Sequence, residues 1–151
     1  MRLFNQSVRN RVLLPVLICG FFGLFEGRAY PGWEAVAISE TGMTAYIDRT
    51  TIHRDLYVVT MSVLRDYQIP EQLSSGSFLS FTAEEQYDCG EARSRTINAV
   101  VFTEHMGNGT VLFSGTSDDT WHPITPMSMN HALWQAACPE GKSTAVARLQ
   151  H

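Results

Sequence analysis

Most of the chain alternates between apolar and polar side chains, the period expected of β-strands with one buried face. Six segments show this alternation or are rich in β-branched and aromatic residues: 33–40, 45–52, 56–67, 78–89, 92–106 and 110–115. Segment 56–67 carries apolar residues on both faces, which predicts a central strand. Breaks are predicted at 41–42, at 53–55, in a loop over 68–76, and at an Asn-Gly hairpin turn over 106–109. The pattern indicates a meandering antiparallel sheet.

The period changes after Pro126, where residues 127–138 are predicted to form a helix. Ser128 is a suitable N-cap, because its hydroxyl can accept a hydrogen bond from a first-turn N–H group. One apolar stripe follows at helical spacing: Met129, Ala132, Leu133, Ala136 and Ala137. Pro139 and Gly141 end the helix. The fold class predicted is α+β, with about six antiparallel strands and one C-terminal helix.

Residues 1–29 have the features of a secretory signal peptide. Arg2, Arg9 and Arg11 precede an apolar run at 12–25, and Gly27-Arg28-Ala29 is a suitable cleavage site before Tyr30. The run is shorter than the roughly 20 residues of a membrane span, so cleavage is favoured over an uncleaved anchor. We therefore predict one exported domain over 30–151, in which 142–151 form a loose tail, with no stable membrane span in the mature chain.

Charge narrows the choice of partners. The leader carries four of the eleven basic residues and one of the fifteen acidic residues, which leaves the mature domain at about −7. No basic cluster remains, so nucleic acid and anionic membrane surfaces are disfavoured.

Two cysteines, Cys89 and Cys138, remain after the leader with Cys19 is removed. In an oxidising compartment an isolated pair is most simply a disulfide. A redox pair or a metal site is the alternative, but the close Cys-x-x-Cys spacing of such sites is absent. A bond between Cys89, at the end of a strand, and Cys138, in the last turn of the helix, would tether the helix to the sheet.

Motifs for catalysis are missing from the sequence. No serine lies in a nucleophile-elbow pattern, no glycine-rich phosphate loop occurs, and the histidines lack metal-ligand spacing. We predict no catalytic residue, no metal site and no cofactor. A secreted hydrolase is the distant alternative.

Several blocks resemble the surface-adhesin protein E family of Gram-negative bacteria. These blocks are Tyr46-Ile47-Asp48 with Ile52, Leu64-Arg65-Asp66-Tyr67, Ser80, Tyr87-Asp88-Cys89, Met106-Gly107-Asn108-Gly109, and Trp121 with Pro126 leading to Cys138. The resemblance implies a secreted or outer-membrane-associated domain with a disulfide-tethered helix. It also implies relatives that bind host extracellular-matrix and serum proteins and can form homodimers.

The function predicted is therefore binding, in the periplasm, at the outer-membrane surface or in secreted form. A periplasmic structural or stress-related protein without a host ligand is the alternative. A partner protein would be bound by a sheet edge or an exposed aromatic rather than by a deep pocket. Trp134 lies off the main helical stripe, so it either flanks Cys138 one turn away or is exposed for a partner. It is the candidate interface residue.

Overall fold

The computed structural model describes residues 32–117 and 119–139, and its main element is one antiparallel sheet. The elements are β1 (Glu34–Ile38), β2 (Met43–Asp55), β3 (Val58–Leu73), β4 (Gly76–Asp88), β5 (Arg93–Phe102), a 3-10 turn (His105–Gly107), β6 (Val111–Thr116), β7 (His122–Pro123) and α1 (Met129–Ala137). Strands β1 to β6 are neighbours in chain order, and the two-residue β7 pairs with the start of β5. The predicted α+β meander with a C-terminal helix is confirmed.

The predicted leader at 1–29 and the predicted tail at 142–151 lie outside the described residues. Within the described part of the chain, no helix has the length and apolar composition needed to cross a membrane.

The core lies between one face of the sheet and α1. Alternate residues of β2, β3 and β4 point to the same side of the sheet, because the side-chain period of a strand is two. These strand residues pack against two buried residues of the helix. The side chains of this core are at most 1 % exposed: Ala45, Ile47, Val59, Met61, Val63 and Tyr87 from the sheet, and Leu133 and Ala137 from the helix. Burying these apolar side chains is the main driving force for docking the helix.

The helix begins and is tethered as predicted. Ser128 is the N-cap, and its Oγ accepts a hydrogen bond from the His131 N–H at 3.1 Å. The predicted disulfide joins Cys89 to Cys138, with Cα atoms 5.6 Å apart. A cross-link over 49 residues restricts the unfolded chain and stabilises the domain by roughly 4 kcal/mol in the chain-entropy model. A nine-residue helix is marginal by itself, so this tether and the core contacts hold it in place.

The turn predicted at 53–55 is wrong, since β2 continues through Asp55. Asp55 pairs with Val58, and the chain reverses at Leu56 and Tyr57. Leu56 has φ 52° and is 93 % exposed. A positive φ is uncommon for a bulky apolar residue, which is why composition placed the turn at the preceding polar residues.

The loop predicted at 68–76 is also wrong. Strand β3 continues to Leu73 and β4 begins at Gly76, so the two strands form one long hairpin. The tip of this hairpin contacts β6, because Ser75 Oγ donates to the Leu112 carbonyl oxygen at 3.3 Å. The register shifts between Asp66 and Glu71. That irregularity accommodates Pro70, which has no N–H group to donate to a neighbouring strand.

The connection between β5 and β6 is a 3-10 turn rather than a tight Asn-Gly hairpin, and β5 ends at Phe102 instead of continuing to 106. Contacts across the sheet determine this shape. The Met106 N–H donates to Asp66 Oδ1 at 2.7 Å, and the Gly107 N–H donates to Ser80 Oγ at 2.9 Å. Met106 is buried as a result, so the turn covers part of the sheet face opposite to α1.

Candidate functional site

Strand β6 is the open edge of the sheet. It pairs with β5 on one side, and within residues 32–117 and 119–139 no strand pairs with its other side. Its sequence, Val111–Thr116, contains no charged residue and no proline. Sheet edges in soluble proteins are commonly blunted by such residues, because exposed N–H and C=O groups readily pair with another chain. This edge lacks that protection. Beyond β5, it is contacted at Leu112, whose carbonyl oxygen accepts from Ser75 Oγ at 3.3 Å at the tip of the β3–β4 hairpin.

Two apolar side chains lie on the open edge. Val111 is 51 % exposed and Phe113 is 48 % exposed. The Phe113 ring lies against Gly115, where a Cβ atom would come within 2.8 Å of Phe113 Cζ. The glycine therefore gives the ring a defined place on the strand. The edge combines unpaired backbone groups with a positioned aromatic side chain, the combination used in strand-addition recognition.

The opposite edge, β1, is protected differently. Helix α1 contacts β1. Glu34 on β1 forms an ion pair with Arg49, with Nε and Oε2 2.5 Å apart. A charged pair on an edge strand disfavours addition of another strand. Strand β6 is therefore the more accessible edge.

Trp134, the predicted interface residue, is partly buried against the core cluster. Its indole N–H donates to the Asp88 carbonyl oxygen at 3.1 Å, and its ring stacks on His131 with centroids 6.0 Å apart. Trp134 thus helps to dock α1 beside the disulfide. Its contribution to an interface stays a prediction.

The Asp88 carboxylate stabilises the turn between β4 and β5, which directly follows the carbonyl group that Trp134 contacts. It accepts hydrogen bonds from the N–H groups of Gly90 and Glu91, each at 3.0 Å, and pairs with Arg93. Burial favours the neutral carboxyl group, but these donors outweigh it and lower the pKa of Asp88 below its usual value.

A buried ion pair lies inside the sheet–helix layer. Arg65 Nη1 is 2.5 Å from Glu85 Oε1, and Arg65 Nη2 donates to Asn130 Oδ1 on the helix at 2.9 Å. The Tyr87 hydroxyl donates to the Glu85 carboxylate. Burial alone would lower the pKa of Arg65, but the adjacent carboxylate raises it. Burial, and then the negative charge of Glu85, raise the pKa of Tyr87 well above its usual value. Arg65 is therefore charged, and Tyr87 is a neutral donor.

Sequence patterns alone did not identify this pair. From the sequence alone, the inward position of Glu85 on a strand predicts a place near the edge of the sheet, whereas β4 is an interior strand paired with β3 and β5. The signal was present in the period-two pattern, because Arg65 follows Val59, Met61 and Val63 on the inward face of β3. Two inward positions of opposite charge on adjacent strands indicate a buried ion pair.

Among residues 32–117 and 119–139, no group of His, Cys, Asp and Glu could hold a metal ion.

Comparisons with known proteins agree with this architecture. Residues 33–139 match the sequence model of a family described as Surface-adhesin protein E. A structure of Haemophilus influenzae protein E has 14 % sequence identity and a TM-score of 0.54, over 76 % of this chain and 89 % of that chain. Its selenomethionine form has 15 % identity and a TM-score of 0.53, over 75 % and 91 % of the two chains. No curated protein sequence matches the chain. At this identity the solved structures show a shared fold.

Proposed function

Since the chain belongs to the surface-adhesin protein E family, we propose that it is an exported, non-catalytic domain that binds a protein partner through the open β6 edge. The carrying observation is the uncharged β6 edge with its exposed Val111 and Phe113. Family membership supports a surface adhesin, and the edge supplies a physical means of protein binding.

The partner proposed is a host matrix or serum protein that presents a basic surface. Residues 32–117 and 119–139 contain twelve acidic side chains and five arginines. Four of those arginines are already paired with carboxylates within the domain: Arg49, Arg65, Arg93 and Arg95. The domain therefore offers mostly negative charge to a partner, which accelerates association with basic surfaces.

Charge placed on the edge tests this proposal. We expect Val111→Lys and Phe113→Lys to weaken binding to immobilised laminin, fibronectin or type IV collagen at least about tenfold, because lysine on an edge strand blocks strand addition. Surface plasmon resonance measures the binding, and a chip surface that carries no protein serves as the reference. Leu56→Lys is the matched control, since Leu56 is another exposed apolar residue but lies on the β2–β3 turn.

The outcome separates three cases. Loss of binding in the β6 variants, with Leu56→Lys unchanged, supports the proposal. Equal loss in all three variants would show that the edge is not the contact. If the wild-type chain binds none of the matrix proteins, while analytical ultracentrifugation shows dimers that the β6 variants dissociate, the edge serves self-association and host binding is overturned.

A further inference from the structure

A shallow open cleft of about 300 Å³ lies on the sheet face opposite to α1. Among its lining residues are Trp33, Asp48, Ser62, Thr82, Glu84 and Asn98. The strand residues next to them, including Ile47, Val63 and Glu85, point to the buried face, so alternation places Asp48, Ser62 and Glu84 on the other side. The volume is at the lower end of the range for ligand sites, and it suits one side chain of a larger partner.

The strand register aligns the polar residues in one row across the sheet. Asp48 pairs with Ser62, Ser62 with Glu84, and Glu84 with Asn98. Neighbouring strands are about 4.8 Å apart, so the backbones of Asp48 and Glu84 are separated by roughly 10 Å. The short side chain of Ser62 between them leaves the space that forms the cleft.

The two ends of the row complete the site. Glu34 pairs with Ile47, and Trp33, the residue before Glu34, lines the cleft together with Asp48. At the other end Asn98 pairs with Thr116 of β6. The cleft therefore has an indole at one end and reaches the open edge at the other.

Both carboxylates are held in position and retain unused acceptor oxygens. Asp48 Oδ1 accepts from the Thr50 N–H at 2.9 Å and from Thr50 Oγ1 at 2.7 Å. Glu84 Oε2 accepts from Asn98 Nδ2 at 2.9 Å. Within residues 32–117 and 119–139, neither carboxylate forms an ion pair, since the neighbouring Arg49 is bonded to Glu34. Their second oxygens face no cation of the described chain.

We propose that this cleft receives an arginine side chain of the protein partner. The inference rests on the proposed function for the existence of that partner. A guanidinium group is planar, presents five donors and stacks on aromatic faces, so it can use an indole and two carboxylates together. A lysine ammonium lacks the plane and the fork of donors. A divalent cation is a poorer fit, because among residues 32–117 and 119–139 no group of three or more His, Cys, Asp or Glu side chains could hold a metal ion.

Small-molecule probes test the cleft without the partner. We titrate the ¹⁵N-labelled chain with N-acetyl-arginine amide and follow the Trp33 Nε1–H, Ser62 N–H and Asn98 Nδ2–H₂ resonances. We expect saturable shifts with a Kd in the millimolar range, as is normal for one solvent-exposed charged contact. N-acetyl-citrulline amide, which is nearly isosteric but neutral, is expected to cause no saturable shift. N-acetyl-lysine amide is expected to bind more weakly than the arginine probe.

Matched variants locate the effect. In the double variant Asp48→Asn with Glu84→Gln, both side chains keep an acceptor for their existing hydrogen bonds. We expect it to bind the arginine probe at least about fivefold more weakly. The control, Glu71→Gln with Glu91→Gln, removes the same charge from exposed positions outside the cleft lining and is expected to leave Kd within about twofold. Thermal melting confirms that both variants are folded.

The results are decisive in either direction. Equal shifts with citrulline, equal affinity for lysine, or unchanged affinity in the cleft variant would overturn the inference. If a matrix protein binds through β6 but the cleft variant leaves that binding unchanged, the arginine site is overturned while the proposed function stands. If no matrix protein binds, the proposed function fails, and the probe titration still judges the cleft by itself.

Discussion

Arg65 and Glu85 form a pair of opposite charges almost fully removed from solvent, with 8 % and 4 % exposure. Arg65 Nη2 also donates to Asn130, and the Glu85 carboxylate also accepts from the Tyr87 hydroxyl. Such a pair contributes little net stability compared with apolar residues, but removing one partner leaves an uncompensated buried charge. Since Asn130 is on α1, the pair also fixes the position of the helix over the sheet.

Neutralising Glu85 tests how much stability is lost when the buried Arg65 has no counter-ion. We expect Glu85→Gln to lower the free energy of unfolding by about 3–5 kcal/mol, because the buried Arg65 guanidinium loses its counter-ion. Urea denaturation measures the change. Glu84→Gln is the adjacent control on the other sheet face, and we expect it to cost less than about 1 kcal/mol. Similar losses in the two variants would contradict the role assigned to the buried pair.

At the residue scale, sequence patterns identify the disulfide and the periodic apolar positions. They miss the side-chain contacts that depend on the register between strands. Cys89 and Cys138 were identified from composition and compartment. The contact of Glu85 with Arg65 depends on β3 and β4 pairing in one register, and the row from Asp48 to Asn98 depends on three pairings at once. No single strand sequence contains that information, since register is set by all the strands and turns together.

At the scale of elements, α1 and the strands were predicted well, whereas the connections were not. The helix carries its own N-cap and apolar stripe, so its position could be recognised locally. The turn at Leu56 and Tyr57 uses an exposed apolar residue with positive φ, contrary to the usual composition of turns. The 3-10 turn at Met106 is shaped by Asp66 and Ser80, which are distant in sequence.

Trp134 connects α1 to the end of β4 and gives an element-scale prediction. Trp134→Phe keeps an aromatic ring but loses the N–H donor to Asp88, so we expect a loss of about 1 kcal/mol in stability. Trp134→Ala also loses the packing against the core and is expected to cost about 2–4 kcal/mol, since the side chain is only partly buried. Thermal and urea unfolding measure both effects. Equal losses would show that the packing of the ring is unimportant.

The same variants test the predicted interface role of Trp134. Analytical ultracentrifugation below the melting temperature of each variant measures self-association separately from stability. An interface role requires weaker association in Trp134→Ala. Association equal to that of the wild-type chain would restrict this residue to docking the helix.

At the scale of the whole molecule, negative charge is spread over the domain rather than concentrated at one point. Seven carboxylates of the described residues lie outside the ion pairs given by the structure: Glu40, Asp48, Asp55, Glu71, Glu84, Glu91 and Glu104. Arg54 is the one arginine of that part of the chain without a carboxylate partner. This distribution creates a long-range field that attracts basic partners before any specific contact forms.

Long-range attraction and local recognition have different kinetic consequences. The long-range field acts on the association rate, whereas a close contact acts mainly on dissociation. For a matrix protein that binds the chain, we expect the association rate constant to fall about tenfold as salt rises from about 0.05 to 0.5 M, because the Debye length shortens.

The Asp48→Asn, Glu84→Gln variant and the Glu71→Gln, Glu91→Gln variant remove equal charge, so both are expected to reduce this salt dependence to a similar extent. Only the variant in the cleft is expected to dissociate faster. Surface plasmon resonance at four salt concentrations measures both rate constants, and a salt-independent association rate would show that the net charge of the domain does not steer its partner.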